Sequence, residues 1–175
     1  MRIKPHRLFY LLPVLALLLA ACGPQAGPEA GVPQELRANL ASEPATLDPN
    51  RASFAEQINV IRQVFEGLLG FNQDLTVRAV GAKEVPNVTN KGVAADGLTY
   101  TFKLRDGVKW SDGQPVTAKD YEYSIKRMLS PELAADYASF YYDIKGAQEY
   151  NGATNKPAAE VQRLRDAVGV KAIDN

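Results

Sequence analysis

Cysteine and histidine are nearly absent from this 175-residue chain, which has one of each. A single cysteine, Cys22, allows neither an internal disulfide nor a cysteine-based metal cluster. The single histidine, His6, lies in a segment that the pattern described next marks for removal. The rest of the chain then has no histidine. That excludes Ser-His-Asp and Cys-His catalysis, histidine metal sites and histidine pH switches within it. No Gly-x-Ser-x-Gly elbow occurs either. A charge excess of either sign is also missing, with 20 Lys and Arg against 20 Asp and Glu. Without Arg2, Lys4 and Arg7 the counts are 17 basic and 20 acidic, a net charge of −3. A mildly acidic body with no basic stripe argues against a nucleic-acid partner. The composition, 46% hydrophobic and 23% charged, is that of an ordinary globular protein.

The chain opens with a basic stretch, Met1 to Arg7, followed by an uncharged apolar run from Leu8 to Ala21. Fourteen residues fall short of the ~20 that span a bilayer. Residues 1–21 therefore read as a signal peptide. The run ends Leu19-Ala20-Ala21-Cys22-Gly23, which resembles a bacterial lipobox. That resemblance implies cleavage before Cys22 and lipidation of its thiol. Residues 22–34, rich in glycine and proline, read as a flexible tether. No second apolar run of spanning length follows.

Glu35 to Ala41 alternates with period two, which predicts a strand. Two prolines and several turn formers mark 42–50 as a loop. Ser53-Phe54-Ala55-Glu56 fits a capping box, and Ile58, Ile61, Phe65 and Leu68 follow helical spacing. A helix over 54–69 is expected. A turn at 72–74 and a weak strand over 75–80 come next, then an irregular stretch over 82–92. Leu98, Tyr100, Phe102 and Leu104 alternate with polar residues, predicting a strand. Three Asp-Gly pairs (Asp96-Gly97, Asp106-Gly107 and Asp112-Gly113) predict tight reversals. Thr117-Ala118-Lys119-Asp120 signals a second helix start. Further helices are expected over 137–150 and 157–168, with a last strand from Val170. The opening and closing strands have no evident partners, so the chain is expected to be part of a larger protein. Its fold class is mixed, α+β or α/β.

The segment from Thr101 to Asp120, TFKLRDGVKWSDGQPVTAKD, resembles the signature of extracellular solute-binding proteins of family 5. Ser42-Glu43-Pro44 through Leu47-Asp48-Pro49, Val64 through Leu69, and Gly169 through Asp174 agree with it. One departure stands at Val80 to Pro86, where the family often carries a tryptophan.

The resemblance implies the N-terminal part of a two-lobed, peptide-binding-type fold. Residues 35–70 would supply the first strand and helix of the main lobe. Residues 71–175 would form a small accessory domain, incomplete at its C-terminus. It also implies a lipid-anchored receptor on the outer face of the cell membrane. That receptor would capture oligopeptides for an ABC permease, as a monomer without cofactors or catalysis. Dipeptides, nickel chelates, sugars and a non-binding structural role are the alternatives.

Family members contact ligand just after the Leu-Asp-Pro motif, which here means Ser53, Phe54 and Ala55, and through a Tyr-Ala-Ser tyrosine, here Tyr137. A helix start offers amide donors and a positive dipole end, and a phenol offers apolar area with one hydrogen bond. The competing reading makes Ser53 only a cap, Phe54 only a staple and Tyr137 a core residue. Tyr141 and Tyr142 are weaker candidates, and Trp110 is assigned to structure. Asp136 and Asp143 read as solvated helix charges. With only the opening portion of the cleft, residues 23–175 alone are expected to bind peptide weakly or not at all.

Overall fold

A computed structural model describes residues 35–173. The signal peptide, Cys22 and the tether lie outside the described residues. The chain divides into two units, Met1–Asn39 and Leu40–Asn175. In the first, residues 35–39 have no regular structure, and Leu36 is 92% exposed. The strand expected over 35–41 does not form. Alternation only sorts side chains between two faces. A strand also needs a neighbour for its backbone groups, and none of the described residues pairs with this one.

The second unit begins with the loop that leads to helix α1 (Ala55–Val64). The helix starts one residue later than the capping-box reading placed it. Phe54 is the N-cap, and Gln57, not Glu56, reaches back. Its C-cap, Phe65, is already extended. The expected last turn is lost because Leu69 joins a hairpin instead. Strand β1 (Leu69–Phe71) pairs antiparallel with β2 (Val77–Ala79), with Gly70 opposite Arg78. The turn between them is closed by the Asn72 amide on the Thr76 carbonyl and by the Thr76 amide on the Asp74 carboxylate.

From Val80 to Pro115 the chain runs through several turns and forms only isolated pairs: Ala82 with Leu104, Val93 with Tyr100 and Lys109 with Pro115. The strand expected at 98–104 is thus a ribbon held by scattered bonds, such as Lys83 N–H to the Lys103 carbonyl at 2.8 Å. Its alternation survives at Phe102 and Leu104, which are half-buried between exposed Thr101 and Lys103. Leu98 and Tyr100 are exposed. All three Asp-Gly turns form, with Gly97, Gly107 and Gly113 at φ +71, +73 and +88. A Cβ is strained at such angles, which explains glycine there.

Helix α2 (Ala118–Met128) starts as expected, with the Thr117 amide and hydroxyl both donating to the Asp120 carboxylate. The single helix expected over 137–150 is broken into a 3₁₀ turn (Ala138–Tyr141) and a short helix α3 (Ala147–Asn151). Gly146, at the N-cap of α3, is left-handed at φ +74, a conformation a continuous helix does not contain, and a Cβ there would sit 3.0 Å from the Ala167 carbonyl oxygen. Helix α4 (Ala158–Ala167) follows Pro157 as expected. Val170 to Ile173 is not a strand; like 35–41 it has no pairing neighbour among the described residues.

The core lies among α2, the 3₁₀ turn, α3 and α4. Fully buried Leu129, at the C-cap of α2, meets Ala147, Tyr150 and Val168, with Ile125, Tyr142 and Leu164 packed around them. Asn151 ties this core together: it accepts from the Tyr142 hydroxyl at 2.7 Å and donates to the Leu129 carbonyl at 3.1 Å. That second bond satisfies a carbonyl at the α2 end that has no partner within the helix. No helix among the described residues is long and apolar enough to cross a membrane.

Candidate functional site

The Leu47-Asp48-Pro49 loop is ordered by its own side chains. The Asp48 amide donates to the Thr46 hydroxyl, and the Asp48 carboxylate accepts the Asn50 amide at 3.0 Å. The Asp48 carbonyl then accepts the amides of both Arg51 and Ala52. These short-range bonds are the usual device by which an Asx residue fixes a turn. At the helix start, buried Gln57 accepts the amides of Ser53 at 3.0 Å and Phe54 at 3.3 Å. Those two amides were the donors the sequence suggested for a ligand, and Gln57 has taken both. Ser53 is not the cap residue, because the N-cap position falls on Phe54. Phe54 is no buried staple either, because it is 63% exposed.

The structure brings two of the predicted residues into direct contact. The Tyr137 hydroxyl donates to the Ser53 carbonyl at 2.8 Å. Tyr137 is 39% exposed, so it is not a core residue. Its ring packs tilted against Phe140, with centroids 5.4 Å apart, and Phe140 is 76% exposed. Phe54, next to Ser53 in sequence, and Phe140, against the Tyr137 ring, thus leave aromatic surface exposed. Ala55 opens α1 and is exposed. Tyr141 and Tyr142 pack against the core and are not part of this surface. Trp110 is 44% exposed, and its backbone closes the Asp112-Gly113 turn. Asp136 and Asp143 are both exposed, as solvated charges should be.

Sequence reading missed the residues that hold this surface in place. Arg127, on α2, grips Asp48 with both terminal nitrogens; the Nη1–Oδ1 distance is 2.8 Å. The same Nη1 donates to Asn50 Oδ1 at 3.0 Å. Asn50 Nδ2 donates in turn to the Ser124 carbonyl at 3.2 Å. The guanidinium holds the Asp48 carboxyl below the usual carboxylate range, against the opposing effect of partial burial. The Asp48 hydrogen bond likewise raises Arg127. The only available signal was an Asp in a Pro-flanked turn and an Arg on a helix. Nothing in a single sequence pairs them across 79 positions.

The other side of α2 is tied to the far end of the chain. Glu122 accepts from Lys126 at 2.6 Å and from the Ala172 amide at 2.8 Å. The Ala172 amide bond, followed by the Lys126 bond, lowers the Glu122 pKa. An open groove of about 640 Å³ lies between α2 and α4. Its Lys126, Arg127 and Lys156 are paired with Glu122, Asp48 and Glu160, so most of its positive charge is already committed.

Comparison with known proteins gives a consistent set of relatives. The model of bacterial extracellular solute-binding proteins, family 5 Middle, matches residues 83–175. The chain is 38% identical to the oligopeptide-binding protein OppA of Bacillus subtilis, over 94% of this chain and 29% of that protein. It is 36% identical to the periplasmic murein peptide-binding protein MppA of Escherichia coli, over 81% of this chain and 24% of that protein. The solved structure of Listeria monocytogenes OppA bound to peptide superposes with a TM-score of 0.62 at 33% identity, covering 74% of this chain and 23% of that one. The chain therefore spans less than a third of the curated relatives it matches.

Proposed function

The chain belongs to the bacterial extracellular solute-binding proteins, family 5, and we propose on that basis that it contributes one wall of the peptide grip of an ABC importer's receptor. The bond from Tyr137 to the Ser53 carbonyl carries this reading. It joins two segments 84 residues apart, and Phe54 beside Ser53 in sequence and Phe140 against the Tyr137 ring are both exposed. The phenol has spent its proton on Ser53, so only its oxygen lone pairs remain for a ligand. Tyr137 then accepts an N–H from a bound peptide instead of donating to a carbonyl. Phe54 and Phe140 offer apolar area without demanding a particular side chain. Such a surface suits binding through the peptide backbone with tolerance for sequence.

The reading includes no chemical step. The relatives are named for binding peptides, and the Ser53–Tyr137 surface holds neither a nucleophile paired with a base nor a histidine. It also includes a monomeric receptor that hands its peptide to permease subunits and is held at the membrane by lipid on Cys22. Calorimetry of the full-length gene product with a pool of tri- to pentapeptides tests the grip. Heat release and a raised melting temperature support it. Absence of both, or a response only to a nickel chelate, a sugar or a bile acid, refutes the peptide reading. Incorporation of radiolabelled fatty acid that Cys22→Ser abolishes supports the anchor; equal labelling of both forms refutes it.

A further inference from the structure

We infer that Arg127 is a positioning residue for the ligand surface: by clasping Asp48 and Asn50 it sets where the Ser53 carbonyl meets Tyr137. The inference rests on the peptide-grip reading above and adds to it a residue that touches no ligand. Three observations carry it. First, the Ser53 ledge follows directly on the Asp48 turn. The Asp48 carbonyl accepts the Arg51 and Ala52 amides, which fastens the residue just before Ser53 to that turn. Second, the turn is fastened to the core-bearing helix α2 through polar bonds that centre on one guanidinium. Arg127 takes both Asp48 oxygens and Asn50 Oδ1, and Asn50 adds a bond to Ser124. Third, Tyr137 belongs to the segment after α2, whose C-cap Leu129 is buried in the core. Arg127 therefore refers both partners of the Tyr137–Ser53 bond to a single helix.

A planar fork is needed for this. Arginine presents two parallel donors to a carboxylate and still has a hydrogen on Nη1 for Asn50, whereas lysine is a point charge that cannot fix the plane of Asp48. The clasp side chains are about 30% and 26% exposed, so the pair is desolvated enough to be directional. Glu122, five residues earlier and on the other side of the same helix, fastens Ala172 and provides a built-in control.

The test uses the full-length gene product with Arg127→Met, Arg127→Lys, Asn50→Ala and Glu122→Gln. Three readouts are taken: calorimetric affinity for the tri- to pentapeptide pool, amide hydrogen exchange at Ser53 and Phe54, and melting temperature. Arg127→Met is expected to weaken peptide affinity about tenfold or more and to speed exchange at both amides by a similar factor. Arg127→Lys should recover part of each, and Asn50→Ala should shift both in the same direction by less. Glu122→Gln should lower the melting temperature while leaving affinity and those two amides unchanged. If Arg127→Met does not fold, Arg127→Lys and Asn50→Ala decide. Unchanged affinity and protection in the variants overturn the inference. So does an affinity loss that Glu122→Gln reproduces at equal loss of melting temperature. If the unaltered protein binds no peptide, the grip reading fails, and unchanged exchange at Ser53 and Phe54 then removes the positioning role as well.

Discussion

The hydroxyl of Tyr137 and the carbonyl of Ser53 meet at 2.8 Å, across 84 residues of sequence. Tyr137 precedes a 3₁₀ turn and Ser53 precedes helix α1, so the bond joins the lead-in segments of two separate elements. Neither end is sealed in the core. The rings nearest in sequence, Phe54 and Phe140, are more than half exposed.

Tyr137→Phe keeps the ring and removes the donor. The Ser53 carbonyl can turn to water, so the stability loss should be small, about 0.5–1.5 kcal/mol. Peptide affinity of the full-length gene product should fall more than stability does, because the acceptor oxygen is lost as well. Parallel urea melts and calorimetry separate the two effects.

Acid should loosen the clasp. Asp48 and Glu122 both titrate below the ordinary carboxylate range in the folded chain. Their contribution is present above the unfolded value, near about 4, and is lost as pH falls through the lower folded values. Arg127 stays charged throughout and adds no slope. Urea midpoints measured down the acid limb should therefore drop for the unaltered chain. The drop should be shallower in Asp48→Asn, which starts less stable at neutral pH.

Leu129→Ala tests where the core lies. Leu129 is fully buried among Ala147, Tyr150 and Val168. Deleting its side chain should cost about 2–5 kcal/mol, measured as a shift of the urea midpoint at constant slope. A shift under ~1 kcal/mol would mean that the site relaxes around the loss.

Gly113→Ala tests a turn. At φ +88 an added Cβ would have no atom within 4 Å, so the cost is backbone strain alone, about 1–2 kcal/mol. Gly146→Ala should cost more, because a Cβ there also meets the Ala167 carbonyl at 3.0 Å. Thermal melts of the two variants side by side give the order.

Local chemistry explains which elements could be read in advance. The Thr117–Asp120 cap, the Asp-Gly turns and the Pro157 start are decided within four residues, and all three form where the sequence places them. What failed depends on distant partners. The segments expected as strands at 35–41 and from Val170 have no strand to pair with among the described residues. Leu69 left the helical stripe for Ala79. Gly146 lay inside the helix expected over 137–150, and nothing local marked its left-handed turn against Ala167. The site divides the same way. Ser53 and Tyr137 came from the resemblance and prove to be neighbours. The capping box slid by one residue because Gln57, not Glu56, faces the Ser53 and Phe54 amides. The Arg127–Asp48 clasp is a contact of tertiary structure, and a lone Asp and a lone Arg carry no mark of it.

Native mass spectrometry of the full-length gene product, incubated with the tri- to pentapeptide pool, shows whether the protein grips peptide. Complexes carrying one intact peptide, drawn from many sequences, are expected, and markedly fewer of them in Tyr137→Ala. A protein that emerges bare, or peptides released as cleavage products, would contradict the peptide grip.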